Sequence, residues 1–182
     1  IIPLKPDVIM PTKVSGAEMI QEVSAYMAEV EKKAGIEEGT VKILPLIETA
    51  LGVEKSFEIA SADKRVIGIF LGGEDFTADM HCKRTKEGQE IFYARTRLVL
   101  AARACGIEAY DTPFTDVEDM EGLRKDTEFA KSLGFAGKAV ISPRHVDIVN
   151  EVFSPTEEEI AYAHDVMDAI EEGKRQGKGV IS

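Results

Sequence analysis

The chain has 182 residues, enough to bury a sizeable core as one domain. Its 33 acidic against 22 basic residues give a formal charge of −11, which argues against nucleic acid and anionic membrane as partners, because both need clustered Lys and Arg. Two cysteines are too few for a disulfide scaffold, and no apolar stretch approaches the roughly 20 residues of a membrane span. Asp7 to Pro11 is the first strand candidate, with Lys13 just beyond it. Gly16 to Ala34 reads as an amphipathic helix, with Met19, Ile20, Val23, Met27 and Val30 at helical spacing. After a turn comes a strand from Lys42 to Ile47 that ends at Glu48, then a short helix from about Gly52 to Ser61. Arg65 to Leu71 is the third strand, and Glu87 to Ala104 a longer helix stopped by Gly106. Ile107 to Asp111 is the fourth strand, followed by a helix from Asp119 to Leu133 with Gly134 as its stop. Lys138 to Ser142 is the fifth, closed by Pro143. A short helix from Asp147 to Val152 precedes one from Glu157 to Glu172, capped by Thr156 with an acid at Glu159. Gly173 to Ser182 is expected to be a loose tail, separate from a domain covering 1–172.

Alternation of apolar strands with helices indicates an α/β domain built on a parallel sheet. Five strands fit either an open doubly wound sheet or part of a closed eight-stranded barrel. No Gly-x-Gly-x-x-Gly turn or Walker-type loop occurs, which weighs against nucleotide folds. Two acidic clusters each follow an apolar run: Glu48 after Leu46-Ile47, and Glu74-Asp75 after Gly72-Gly73. Ligands of α/β proteins bind at the carboxyl ends of the strands. Two carboxylates delivered there suit Mg²⁺, with Mn²⁺ as a substitute, because such ions take one or two carboxylates and leave other positions to water and substrate. The simpler alternative is that a strand-end acid caps a helix or pairs with a nearby Lys. Asp111, also at a strand end, is either a turn residue or a group that orients substrate. Cys105 is expected to be a reduced, buried thiol.

Leu44-Pro-Leu-Ile-Glu-Thr-Ala-Leu-Gly-Val53, Gly72-Gly-Glu-Asp-Phe-Thr-Ala-Asp79, Arg84-Thr-Lys-Glu-Gly88, Tyr93-Ala-Arg95 and Asp111-Thr-Pro-Phe114 stand in this order along the chain. Together they resemble the citrate lyase β-subunit family, of the HpcH/HpaI aldolase group, which includes malyl-CoA and citramalyl-CoA lyases. Leu133-Gly-Phe-Ala-Gly-Lys138, Ile141-Ser-Pro-Arg144 and Val152-Phe-Ser-Pro-Thr156 continue the likeness in order.

The resemblance implies a (β/α)8 barrel, of which this chain would supply five consecutive units, strands four to eight. It also implies Mg²⁺-dependent carbon–carbon cleavage of an acyl thioester such as citryl-CoA or citryl-acyl carrier protein. By the same resemblance Glu48 and Asp75 match the two metal-binding carboxylates, while Glu74 and Asp79 have less defined duties. Lys13, Asp111 and Arg84 are candidate substrate contacts, Arg84 toward CoA or carrier phosphates or else in a surface ion pair. Expected partners are further copies of the chain, as a trimer or hexamer, and other citrate lyase subunits.

Further strand–helix units are expected ahead of the chain, and a lid carrying a catalytic aspartate after the Gly177-x-Gly-Val-x-Ser182 segment. No signal peptide opens the chain, so the expected compartment is cytoplasmic. The alternatives are a malyl- or citramalyl-CoA lyase, an aldolase on free hydroxy-oxo-acids, and a catalytically incomplete module acting in assembly or binding.

Overall fold

A computed structural model describes residues 1–175. The described strands are parallel throughout and pair in chain order. β1 (Val8–Ile9) pairs with β2 (Lys42–Ile43). β3 (Leu46–Ile47), β4 (Gly68–Leu71), β5 (Glu108–Asp111) and β6 (Gly137–Lys138) then follow one another across a second sheet. A bridge between Ile43 and Val66 joins the two. The order never reverses among the described strands, as it would at the switch point of a doubly wound sheet.

The single strand expected from Lys42 to Ile47 is divided at Leu44-Pro45. Proline has no N–H to give to a ladder, yet both neighbours are kept through the break: Leu44 N and Leu46 N donate to the Ile9 and Pro11 carbonyls on the β1 side, and Ile43 N donates to the Arg65 carbonyl on the β4 side. The Pro45 carbonyl still accepts from Phe70 N at 2.9 Å. The fifth strand also differs from expectation. Pairing covers Gly137–Lys138 only, and Pro143 opens a 3₁₀ turn through His145.

Eight α-helices are described: α1 (Ala17–Ala34), α2 (Ala50–Glu54), α3 (Ser56–Ala60), α4 (Gly73–Asp79), α5 (Phe92–Cys105), α6 (Met120–Leu133), α7 (Val146–Phe153) and α8 (Glu157–Arg175). The expected helix from Gly52 to Ser61 is split at Lys55. α5 and α6 stop where Gly106 and Gly134 adopt left-handed φ of 69° and 101°, the conformation glycine enters at no steric cost. Thr156 and Glu159 exchange hydrogen bonds of 3.1 and 2.8 Å, the capping box expected ahead of α8. α8 runs on to Arg175, so Gly173 is helical rather than the start of a loose tail. Positions 176–182, with the Gly177-x-Gly-Val-x-Ser182 segment, lie outside the described residues.

The core lies between the strands and the helices: Ile43, Ile47, Ile69 and Leu71 pack with Ile20 and Met27 of α1, Ile59 of α3 and Leu98 of α5. Met19, expected on the apolar face of α1, is 38% exposed, and its sulfur accepts from Ser15. On the opposite face of the strands Leu46, Phe70 and Tyr110 are only half-buried, the two rings stacked at 6.3 Å. Cys105 is half-buried and free, less enclosed than expected.

Candidate metal centre

The β3–β4 register decides what stands beside what. Leu46 faces Phe70 and Ile47 faces Leu71, so the next residues, Glu48 and Gly72, fall side by side. A Cβ at position 72 would lie 2.6 Å from the Glu48 Cβ and 2.8 Å from its Oε2. Glycine at 72 is therefore a matter of space for Glu48. Asp75 does not end the strand, as the sequence suggested, but sits in the first turn of α4, which Gly72 caps and which folds back over Glu48. Two adjacent glycines, poor helix formers, hid this helix. Its start is tied down by Gly73 N donating to the buried Thr112 Oγ1 at 3.0 Å. Its end is tied by Asp79 Oδ2, which accepts from Ala50 N of α2 at 2.8 Å. Asp79 thus satisfies a free donor in the first turn of a different helix.

Lys13, Glu48 and Asp75 come together. Glu48 is 4% exposed and accepts from the Lys13 main-chain N–H at 2.8 Å. The Lys13 ammonium stands 3.3 Å from Asp75 Oδ1. Burial lifts the Glu48 carboxyl above its usual range; the Lys13 N–H opposes this, and the Asp75 carboxyl, within hydrogen-bonding reach, lifts it further. Two abutting carboxylates, one buried and under-neutralised, form an all-oxygen donor set that suits a hard divalent cation and not zinc. Among the described residues no group of three or more His, Cys, Asp or Glu is placed to hold a metal. Two carboxylates are a protein donor count that Mg²⁺ accepts, its other positions going to water and substrate.

Asp111 and Arg84 are engaged elsewhere, with partners other than Lys13, Glu48 and Asp75. Asp111 is fully buried in an ionic network. It takes Arg95 Nε and Nη2 at 3.0 and 2.9 Å and the Lys138 ammonium at 2.6 Å. Asp126 joins Arg95 at 2.7 Å and Lys138 at 2.6 Å. The β5–β6 register, which pairs Asp111 with Lys138, accounts for one of these contacts. Arg84 is largely enclosed: Nη1 donates to Glu90 at 2.7 Å and to the Thr85 carbonyl, and Nε lies 3.4 Å from Glu74. Its guanidinium is held by Glu90 and the Thr85 carbonyl, with Glu74 of α4 alongside.

Residues 1–143 match the HpcH/HpaI aldolase/citrate lyase family model. The chain belongs to the HpcH/HpaI aldolase/citrate lyase family. Within the family it is 47% identical over 176 residues to a citrate lyase subunit beta of Leuconostoc mesenteroides, covering 97% of this chain and 58% of that protein. It is 34% identical over 185 residues to the mitochondrial citramalyl-CoA lyase of Rattus norvegicus, covering 97% of this chain and 54% of that one. A citrate lyase beta subunit from M. tuberculosis, solved with oxaloacetate and magnesium, superposes with a TM-score of 0.68 at 27% identity. That likeness covers 82% of this chain and 62% of the other. The chain therefore spans little more than half the length of these relatives.

Proposed function

We propose that this chain forms the metal-binding half of a Mg²⁺-dependent carbon–carbon lyase acting on citryl or a related 3-hydroxyacyl thioester by a retro-aldol reaction. The observation that carries the reading is the convergence of Glu48 and Asp75 at the carboxyl ends of β3 and β4, held by Lys13. Glu48 and Asp75 would hold the ion. The chemistry it supplies when bound is stabilisation of negative charge on the substrate's hydroxyl oxygen as the carbon–carbon bond breaks, and polarisation of the ketone in reverse. The Lys13 N–H fixes one Glu48 oxygen and leaves the other for the site. Burial of Glu48 keeps bulk water from competing for it. Lys13, the exposed cation of the cluster, is the candidate contact for a substrate carboxylate; Asp111 acts at a distance by locking β5 to α5 and β6.

The same reading makes the parallel strands an arc of a (β/α)8 barrel. Sequential pairing supports it, and so does the half-buried inner row of Leu46, Phe70 and Tyr110, which closure would cover. The proposal takes CoA or a carrier protein as the acyl carrier, trimers or hexamers as the assembly, and other citrate lyase subunits as partners; the names citramalyl-CoA lyase and citrate lyase subunit beta support the CoA and the further subunits. No described helix is long and apolar enough to cross a membrane.

The test is a lyase assay of the intact parent protein with citryl-CoA and malyl-CoA, with and without Mg²⁺. Glu48→Ala and Asp75→Ala are each expected to lower kcat by roughly a thousandfold, the equivalent of several kcal/mol of lost charge stabilisation. Near-normal turnover by either variant removes the assignment, and activity on free hydroxy-oxo-acids alone would favour an aldolase.

A further inference from the structure

Lys13 touches both carboxylates with different atoms. It follows β1 with a left-handed φ of 53°, a conformation that disfavours residues with a side chain by about 1 kcal/mol. The next residue, Val14, is fully buried and donates to the Leu46 carbonyl at 3.2 Å, so the strained position is held from the β3 side. That backbone setting aims the Lys13 N–H at Glu48 Oε1 across 35 positions of sequence. The ammonium, on its four-carbon stem, reaches back to Asp75 Oδ1. Both side chains of that ion pair are more than half exposed, at 66% and 55%, so the bond is weak and easily exchanged. Arg84, the cation beside Glu74, is engaged by Glu90 and does not relieve the pair. Two carboxylates thus share one mobile monovalent charge, which leaves them short of neutrality by one unit.

We infer that Lys13 is a positioning residue with two separable parts: its main-chain N–H sets Glu48, and its ammonium is a built-in counter-ion on Asp75 that a divalent cation must displace. The inference rests on the metal reading above and adds to it a competitor inside the chain. A divalent cation entering the pair and the ammonium repel each other at close range, so the ammonium lowers metal affinity and makes it sensitive to salt.

The experiment is Mn²⁺ binding to the intact protein, followed by electron paramagnetic resonance of the free ion, at about 0.02 M and about 0.5 M salt, ionic strengths that bracket strong and weak screening. Lys13→Met keeps the N–H and removes the charge. Lys13→Gly does the same and also relieves the left-handed φ, so it serves if the first variant folds poorly. Both are expected to bind Mn²⁺ more tightly than the wild type, by roughly three- to tenfold at low salt, with the gain shrinking at high salt. A residue that merely braces the loop would give weaker binding on substitution. Folded variants that bind no more tightly, or a gain that ignores salt, overturn the inference. Glu48→Gln locates the ion: its loss of binding shows that the titration reads this site. Binding by Glu48→Gln equal to wild type, or none by any form, overturns the metal reading itself and the inference with it.

Discussion

Glu31 carries more of the fold's electrostatics than its place in a surface-like stretch of α1 suggests. It is fully buried, and its oxygens accept from Arg65 at 2.9 and 2.6 Å, from Gly39 N at 2.9 Å and from Val41 N at 3.0 Å. The Arg65 contact, helped by the two amides and opposed by burial, lowers its carboxyl to about 2. A depressed folded-state value means stabilisation that is present above the unfolded value near 4.5 and is lost as pH falls toward 2. Glu31→Gln strands a buried guanidinium and is expected to cost about 3 kcal/mol at neutral pH. In urea melts the gap to wild type should close between about pH 5 and pH 2, the window in which the wild-type carboxylate takes up its proton. A gap that stays constant across that window would mean the ion pair is not what Glu31 contributes. The sequence carried a usable sign of this pair. Ile20, Ser24, Met27 and Glu31 are the buried positions of α1 and recur at helical spacing, so an acid occupies a core position of the pattern. Arg95 among Ala94, Leu98 and Ala102, and Asp126 between Leu123 and Ala130, carry the same sign.

At the scale of elements, the approach of Asp75 to Glu48 depends on α4 keeping its place beside β3. The Asp79–Ala50 hydrogen bond ties the end of α4 to the start of α2, whose own cap is Thr49 accepting from Gly52 N at 3.0 Å. Removing it with Asp79→Ala should cost about 1 kcal/mol, the usual worth of a helix-start acceptor. It should also weaken Mn²⁺ binding several-fold, because Asp75 shares the loosened helix. Stability loss with unchanged Mn²⁺ affinity would show that α4 is held by packing alone. Elements with strong local signals were legible in the sequence: α1 from its periodicity, the ends of α5 and α6 from Gly106 and Gly134, and the Glu48 strand end from its apolar run. The start of α5 was not, since the helix expected from Glu87 begins at Phe92 after a 3₁₀ turn at Gln89–Ile91. α4 was not, because Gly72-Gly73 reads as a loop and its stability comes from Thr112 and Phe76 contacts distant in sequence or buried on folding. Nor could letters place Asp111 in its network, since Arg95 and Lys138 reach it across 16 and 27 positions and Asp126 meets Arg95 across 31.

For the whole molecule, a sequential parallel sheet carries the paired carboxylates of Glu48 and Asp75 at its carboxyl edge. Among the described residues β1 and β6 each pair on one side only, and Leu46, Phe70 and Tyr110 are half-buried; these are the surfaces that the proposed barrel would cover. Association of copies could protect such edges, whereas the Lys13–Glu48–Asp75 arrangement is already assembled within this chain. The most direct measurement is a crystal structure of the intact protein soaked with Mn²⁺, read by anomalous scattering. One ion is expected between positions 48 and 75, within about 2.0–2.3 Å of an oxygen from each, as a hard divalent cation requires. An ion bound to only one of them, or a peak elsewhere with this pocket empty, would contradict the account.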